Sequence, residues 1–144
     1  MPPGKADFVL VLKGARRMLL LQGPRVLRDY AIALGKNPKG PKRNHGDGRT
    51  PEGRYLLDGR SVDSVFHRAI HISYPNTADL EFARKAGLAP GADVMIHGLP
   101  DDASWVGDAH RQLDWTNGCI AVTDDEMDEI WGLVDDGTPI EIRP

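Results

Sequence analysis

The sequence predicts a mainly β domain, a sandwich or barrel-like fold with two peripheral helices. Three observations predict it. Short apolar runs recur along the chain, each closed by Gly or Pro. Sixteen glycines and eleven prolines stand among 144 residues, a share above the roughly 12% of ordinary globular chains. Helical periodicity is confined to two late segments, and strands that precede and outnumber helices argue for a β-rich layer architecture.

The elements follow in order. Residues 7–13 carry a Phe-Val-Leu-Val-Leu run, and Gly14-Ala15-Arg16 turns the chain. Residues 17–22 form a second apolar run, Gly23-Pro24 a second turn, and residues 26–34 a third strand closed by Gly35. Short strands joined by tight turns read as an antiparallel meander. Residues 36–53 carry too many Gly, Pro, Asn and Lys for a regular element. A long irregular loop inside a compact domain is usually functional or mobile. Residues 54–57 and 69–73 read as strands, and Pro75 stops the second. Asn76 or Thr77 caps a helix with Leu80 and Ala83 on its apolar stripe, and Gly87 ends it. Residues 93–96 return as a strand running into His97-Gly98, and a loop follows. Residues 119–122 form a short apolar run. Thr123 and Glu126 have the spacing of a capping box. Met127, Ile130, Trp131 and Val134 then make one helical face, Gly137 ends it, and residues 139–142 are a final strand.

The chain reads as one domain over residues 1–144, with no repeat, low-complexity tract or linker. The formal net charge is −3, so there is no basic excess to hold a nucleic acid. No apolar run approaches the ~18 residues of a membrane span. No long apolar stretch follows Met1-Pro2-Pro3-Gly4-Lys5, so no signal peptide is visible. Either the protein stays inside, or the chain is a mature fragment restarted with Met. A single cysteine excludes an internal disulfide and a Cys-rich zinc site.

That cysteine, Cys119, is either core filling or a reactive thiol. Its setting is compatible with chemistry: Gly118 precedes it and lets a ligand approach the backbone. Successive amides in such a turn can form an anion-binding concavity, the donor set an oxyanion needs. A thiol nucleophile needs a base, usually His. The candidates are His45, His67, His71, His97 and His110. His97 stands out because it ends a strand and precedes Gly98. His67 and His71 have the four-residue spacing of a helical metal pair, but that segment reads as a strand.

These residues also carry a resemblance. Ile96-His97-Gly98, then residues 99–115, then Thr116-Asn117-Gly118-Cys119-Ile120 resembles the catalytic motif of the YkuD-type L,D-transpeptidases. Gly48-Arg49-Thr50-Pro51-Glu52-Gly53-Arg54-Tyr55 is similar to that family's upstream Thr-Pro-x-Gly-x-Tyr segment. His71-Ile72-Ser73-Tyr74-Pro75-Asn76 and Gly137-Thr138-Pro139-Ile140 also fit, so the likeness runs over roughly residues 7 to 143.

The resemblance implies an L,D-transpeptidase-like fold and a set of roles. Cys119 is the nucleophile, His97 the general base, and Gly98 orients His97 through its carbonyl. Backbone groups of Asn117, Gly118 and Cys119 hold the oxyanion. Tyr74, Trp115, Thr116 and Asn117 contact substrate. The substrate is a peptidoglycan stem peptide, cut after meso-diaminopimelate through an acyl-enzyme on Cys119. An amine then accepts the acyl group, or water does. No metal and no organic cofactor is implied; a monomer in the periplasm or cell envelope is. Two positions depart from the family pattern. Asn117 replaces a second His, and Asn carries no proton at neutral pH. Ala121 replaces a polar residue. Both keep two alternatives open: a hydrolase or L,D-carboxypeptidase with the same Cys/His site, and a non-catalytic peptidoglycan-binding module.

Other features have blander readings beside functional ones. Trp105 and Trp115 form either a lid over the peptide or loop packing. Asp124, Asp125, Glu126, Asp128 and Glu129 read as a solvated helix start, where negative charge suits the macrodipole. The basic stretch 36–43 reads as a solvated loop, with a glycan or an anionic envelope surface as the alternative.

Overall fold

The computed structural model describes residues 5–61, 68–92, 94–99 and 114–144. Trp105, His67 and His110 lie outside the described residues. The described chain forms β1 (Phe8–Leu12), β2 (Arg17–Gln22), β3 (Arg25–Ala31), β4 (Gly53–Ser61), β5 (Ala69–Ile72), α1 (Thr77–Ala86), β6 (Met95–His97), β7 (Ile120–Ala121), α2 (Asp124–Leu133) and β8 (Pro139–Arg143). The fold is mainly β, as the sequence predicts.

One sheet runs in the order β3-β2-β1-β8-β4-β5-β6-β7. The predicted meander is its first part, with β1–β2 and β2–β3 antiparallel. β8 returns beside β1 in parallel and pairs β4 on its other edge. The sheet curls until its two ends meet. Just after β3, Ala33 bridges Ala121, each donating its N–H to the other's carbonyl at 3.0 Å. That contact removes part of the open edge that a sheet would otherwise expose.

Strand alternation builds the core. Val9 and Val11 of β1, Met18 and Leu20 of β2, and Ile140 and Ile142 of β8 are buried while their neighbours are not. Residues two apart share a face of a strand. Met127 and Ile130 of α2 join the same cluster. The capping box predicted for α2 forms: the Thr123 hydroxyl accepts from Glu126 N, and the Glu126 carboxylate accepts from Thr123 N. At α1 the cap is Asn76, with Gly87 left-handed at the C-terminus.

Three expectations need correction. Leu80 is half exposed, and Ala83 alone is buried on α1, so that helix lies flat on the surface with a narrow contact. β4 extends through Asp58 to Ser61, past the predicted Leu57. Its polar end is held by pairing with β5, across a register shift between Leu57 and Gly59. α2 ends at Leu133 rather than at Gly137. Helix ends leave carbonyls without partners, and here Arg60 of β4 supplies donors. Its guanidinium donates to Trp131 O at 2.8 Å and to Val134 O, and stacks over the Trp131 ring at 4.8 Å. Gly137 instead turns the chain into β8, its N–H donating to Leu57 O at 2.6 Å.

Arg60→Ala is expected to destabilise the fold by about 1–3 kcal/mol, the cost of leaving such acceptors unpaired. Urea unfolding reads this as a lower midpoint at unchanged slope. A midpoint that does not move means solvent serves the helix end equally well.

Candidate active site

His97 is the last residue of β6, so it shares a face with Met95, while Ile96 points into the core. β7 lies parallel beside it, with Ile96 opposite Ile120 and His97 opposite Ala121. The same register, carried back one residue, sets Cys119 beside Met95. Met95, His97 and Cys119 therefore line one cleft of about 490 Å³. Cys119 is partly exposed there, and His97 is almost fully buried.

The His97 ring has a defined tautomer. Its Nδ1 lies 2.7 Å from the Gly98 carbonyl oxygen. A carbonyl only accepts, so Nδ1 carries the proton, and in the neutral ring Nε2 is the acceptor. Burial pushes the imidazole below its ordinary 6.5, and the bond to Gly98 pulls only partly back. His97 is thus neutral at pH 7, the form that takes up a proton. The Trp115 ring stands 5.9 Å from it, tilted by 56°.

The turn carrying Cys119 is held from several sides. Arg16 clasps Asp114 through Nε at 3.0 Å and Nη2 at 2.7 Å, and Asp114 also accepts from Leu34 N at 3.2 Å. Thr116 is buried. Its hydroxyl donates to Cys119 O at 2.7 Å and accepts from Gly118 N at 3.1 Å. Gly118 has φ +132°, and a β-carbon there would sit 2.6 Å from Arg49 O. A β-carbon on Gly35 would meet Gly48 O at 2.1 Å and Gly118 Cα at 3.1 Å. Only glycine fits at 35 and 118, because the chain of 36–52 lies directly on the turn.

That irregular stretch is anchored by buried cations. Lys13 Nζ donates to Gly40 O at 3.0 Å, Thr50 O at 2.6 Å and Glu52 at 3.1 Å. Burial pushes Lys13 below its ordinary range, with Glu52 opposing. Lys42 Nζ bonds Asp47 Oδ1 at 3.0 Å and Asn44 O at 3.3 Å. Burial works against the Asp47 charge. The amides of Arg43, Arg49 and Asn44, then Lys42, outweigh it and hold the carboxyl at about 2.

The structure brings together His97, Gly98, Trp115, Thr116, Asn117, Gly118 and Cys119. Tyr74 lies apart from this lining. It is buried, and its hydroxyl donates to Pro90 O at 2.9 Å, so it braces the wall behind the cleft. Gly118 N–H is engaged by Thr116, within the turn itself. His71 is paired with Asp58. The acidic patch is partly structural: Asp124 accepts from Leu99 N at 2.9 Å and Glu129 from Arg28 at 2.9 Å. Sequence reading offered His45 only as one of five candidate bases and missed Lys42, and both line the cleft. Their signal is an irregular stretch with closely spaced glycines, which marks a loop folded back on the protein. Among the described residues, no group of His, Cys, Asp and Glu is placed to hold a metal, and no helix is long and apolar enough to cross a membrane.

The family model for the YkuD L,D-transpeptidase catalytic domain matches residues 6–142. The chain belongs to the YkuD family. Escherichia coli K12 YafK, whose L,D-transpeptidase assignment is provisional, is 31% identical over 112 residues, covering 76% of this chain and 38% of YafK. The Campylobacter jejuni helical cell shape determining protein Pgp2 superposes with TM-score 0.73 at 23% identity, covering 97% of this chain and 48% of Pgp2. A Mycobacterium smegmatis L,D-transpeptidase superposes with TM-score 0.64 at 16% identity, covering 98% of this chain and 60% of that one. These superpositions show a shared fold. The chain spans less than half the length of YafK and of Pgp2.

The Asp47 carboxyl yields an acid prediction. Its folded value of about 2 lies below the ordinary 3.8. The folded state therefore prefers the charged form, and the stabilisation is complete above 3.8. It is lost as pH falls through about 2. Denaturant unfolding across that window is expected to show a stability loss that Asp47→Asn lacks. Parallel curves for the two proteins would contradict it.

Proposed function

We propose that residues 1–144 work as one catalytic domain, a cysteine-dependent L,D-transpeptidase acting on peptidoglycan stem peptides in the cell envelope. The observation that carries this reading is the neutral, tautomer-locked His97 in the same cleft as Cys119. Family membership supports the substrate class.

The steps follow from these groups. The Cys119 thiol gives its proton to His97 Nε2, and the sulfur attacks the carbonyl carbon of the peptide bond after meso-diaminopimelate. Backbone amides of the turn around Cys119 hold the developing oxyanion, since preorganised donors stabilise charge where it appears. The C–N bond breaks, and the imidazolium returns the proton to the departing amine. A thioester on Cys119 remains. An acceptor amine then loses a proton to His97 and attacks the thioester. The new amide forms and the thiolate leaves, regaining the proton. Gly98 O keeps the ring oriented throughout, the part a carboxylate plays in other triads.

A hydrolytic version keeps every step but the last acceptor. The observation that favours it is Asn117, exposed on the cleft lining where the family pattern has His. Water as acceptor makes the enzyme an L,D-carboxypeptidase or a hydrolase that detaches peptidoglycan-linked protein.

Intact mass spectrometry tests the reading. Incubation with a tetrapeptide muropeptide is expected to give a covalent adduct on the protein, absent in Cys119→Ala. Added diaminopimelate-type amine should convert the adduct to a cross-linked product. Loss of the terminal residue without a cross-link selects the hydrolase. Unchanged turnover by Cys119→Ala would overturn the mechanism, and peptide binding with no adduct would favour a non-catalytic module.

A further inference from the structure

Lys42 is a charged residue where burial is costly. It is 4% exposed, and its ammonium sits in an irregular loop rather than on a regular element. An ammonium removed from water needs compensation, and Asp47 gives part of it. Asp47, in turn, is held by more than Lys42. Its Oδ2 accepts from Arg43 N at 2.9 Å and Asn44 N at 3.0 Å, and its Oδ1 from Arg49 N at 3.0 Å. Three amide donors hold that carboxylate in place, so the Lys42–Asp47 pair sets the ammonium at a fixed position with Asp47 as its counter-charge.

The position of that charge matters. Lys42 lines the cleft that holds Cys119. A β-carbon on Gly118 would come within 3.6 Å of Nζ, so the ammonium stands directly beside the residue before the nucleophile. An ammonium has three N–H groups. Among the described residues, two acceptors take them, Asp47 Oδ1 and the distant Asn44 O at 3.3 Å. Among the described residues of the lining, Lys42 is the one with a permanent charge, and none is acidic. The cleft therefore offers an anion a preorganised, largely desolvated partner.

We propose that Lys42 is the carboxylate-recognising group of this cleft, selecting peptides with a free carboxylate close to the scissile amide. This rests on the stem-peptide reading above and adds the group by which such a peptide is read. Lys42 contacts the carboxylate and takes no part in proton transfer. Its loss acts on substrate binding, and Arg restores part of it because charge and hydrogen bonding remain.

The test uses three tetrapeptide muropeptides: the free acid, the C-terminal amide and the diaminopimelate amide. For the unaltered protein, amidating one of these carboxylates is expected to raise KM roughly tenfold or more with little change in kcat, the scale of a lost charge-assisted hydrogen bond. Lys42→Met should show the raised KM already with the free acid, and no further rise with that amide. Lys42→Arg should fall between. A Lys42→Met protein that still discriminates as the unaltered one does would overturn the proposal. Calorimetric binding of the three peptides to Cys119→Ala is independent of whether the lysine variants fold. Roughly tenfold weaker binding of one amide supports the role, and equal affinities overturn it. Selective binding without turnover by the unaltered protein would overturn the transpeptidase reading and leave the role of Lys42 standing.

Discussion

Everything at the cleft depends on one close backbone approach. Gly35, Gly48 and Gly118 meet where the chain leaving β3, the irregular stretch 36–52 and the turn before β7 cross. At Gly35 and Gly118 a β-carbon would overlap the carbonyl of another segment, at 2.1 Å and 2.6 Å. Packed backbone does not yield to such overlap without shifting. The crossing therefore fixes where the turn of Cys119 stands, and the Ala33–Ala121 bridge carries the same constraint into the sheet. The parallel pairing of β6 and β7 does the rest, since it sets His97 and Cys119 on one face.

Charge then shapes what the backbone has positioned. Loop 36–52 has no ladder to hold it, and two buried lysines substitute for one. Lys13 ties Gly40 and Thr50 to the end of β1, and Lys42 ties the Asn44–Asp47 turn to the cleft. Buried ammoniums are costly unless several acceptors converge on them, and convergence of that kind leaves the loop one conformation. The same exclusion of water keeps His97 neutral. Its fold prefers the unprotonated ring, whereas an unfolded chain takes up a proton below about 6.5. Burial of His97 therefore lowers stability in mild acid and leaves the ring unprotonated at neutral pH.

Much of this was legible in the sequence, for reasons that are local. The short apolar runs of β1, β2 and β8 and the Thr123/Glu126 cap are properties of adjacent residues, and each formed its element. The pairing of His97-Gly98 with Thr116-x-Gly118-Cys119 was legible through the family resemblance that those residues carry. What escaped was non-local. Asp58 to Ser61 form strand because β5 pairs with them, against their polar character. α2 ends where Arg60, distant in sequence, reaches its carbonyls. Lys42 looked like one more cation in a solvated loop, and only the folded loop turns it toward Cys119. Tyr74 stands outside the described cleft lining for the same kind of reason: its hydroxyl donates to Pro90 O.

The central claim is that His97 activates Cys119. The most direct measurement is the pH dependence of Cys119 alkylation by iodoacetamide, in the unaltered protein and in His97→Gln, followed by intact mass. The account predicts that alkylation of the unaltered protein reaches its plateau at a lower pH than that of His97→Gln. Glutamine at 97 can donate a hydrogen bond but cannot accept the thiol proton as a base. Coincident profiles would contradict it and leave Cys119 without its base.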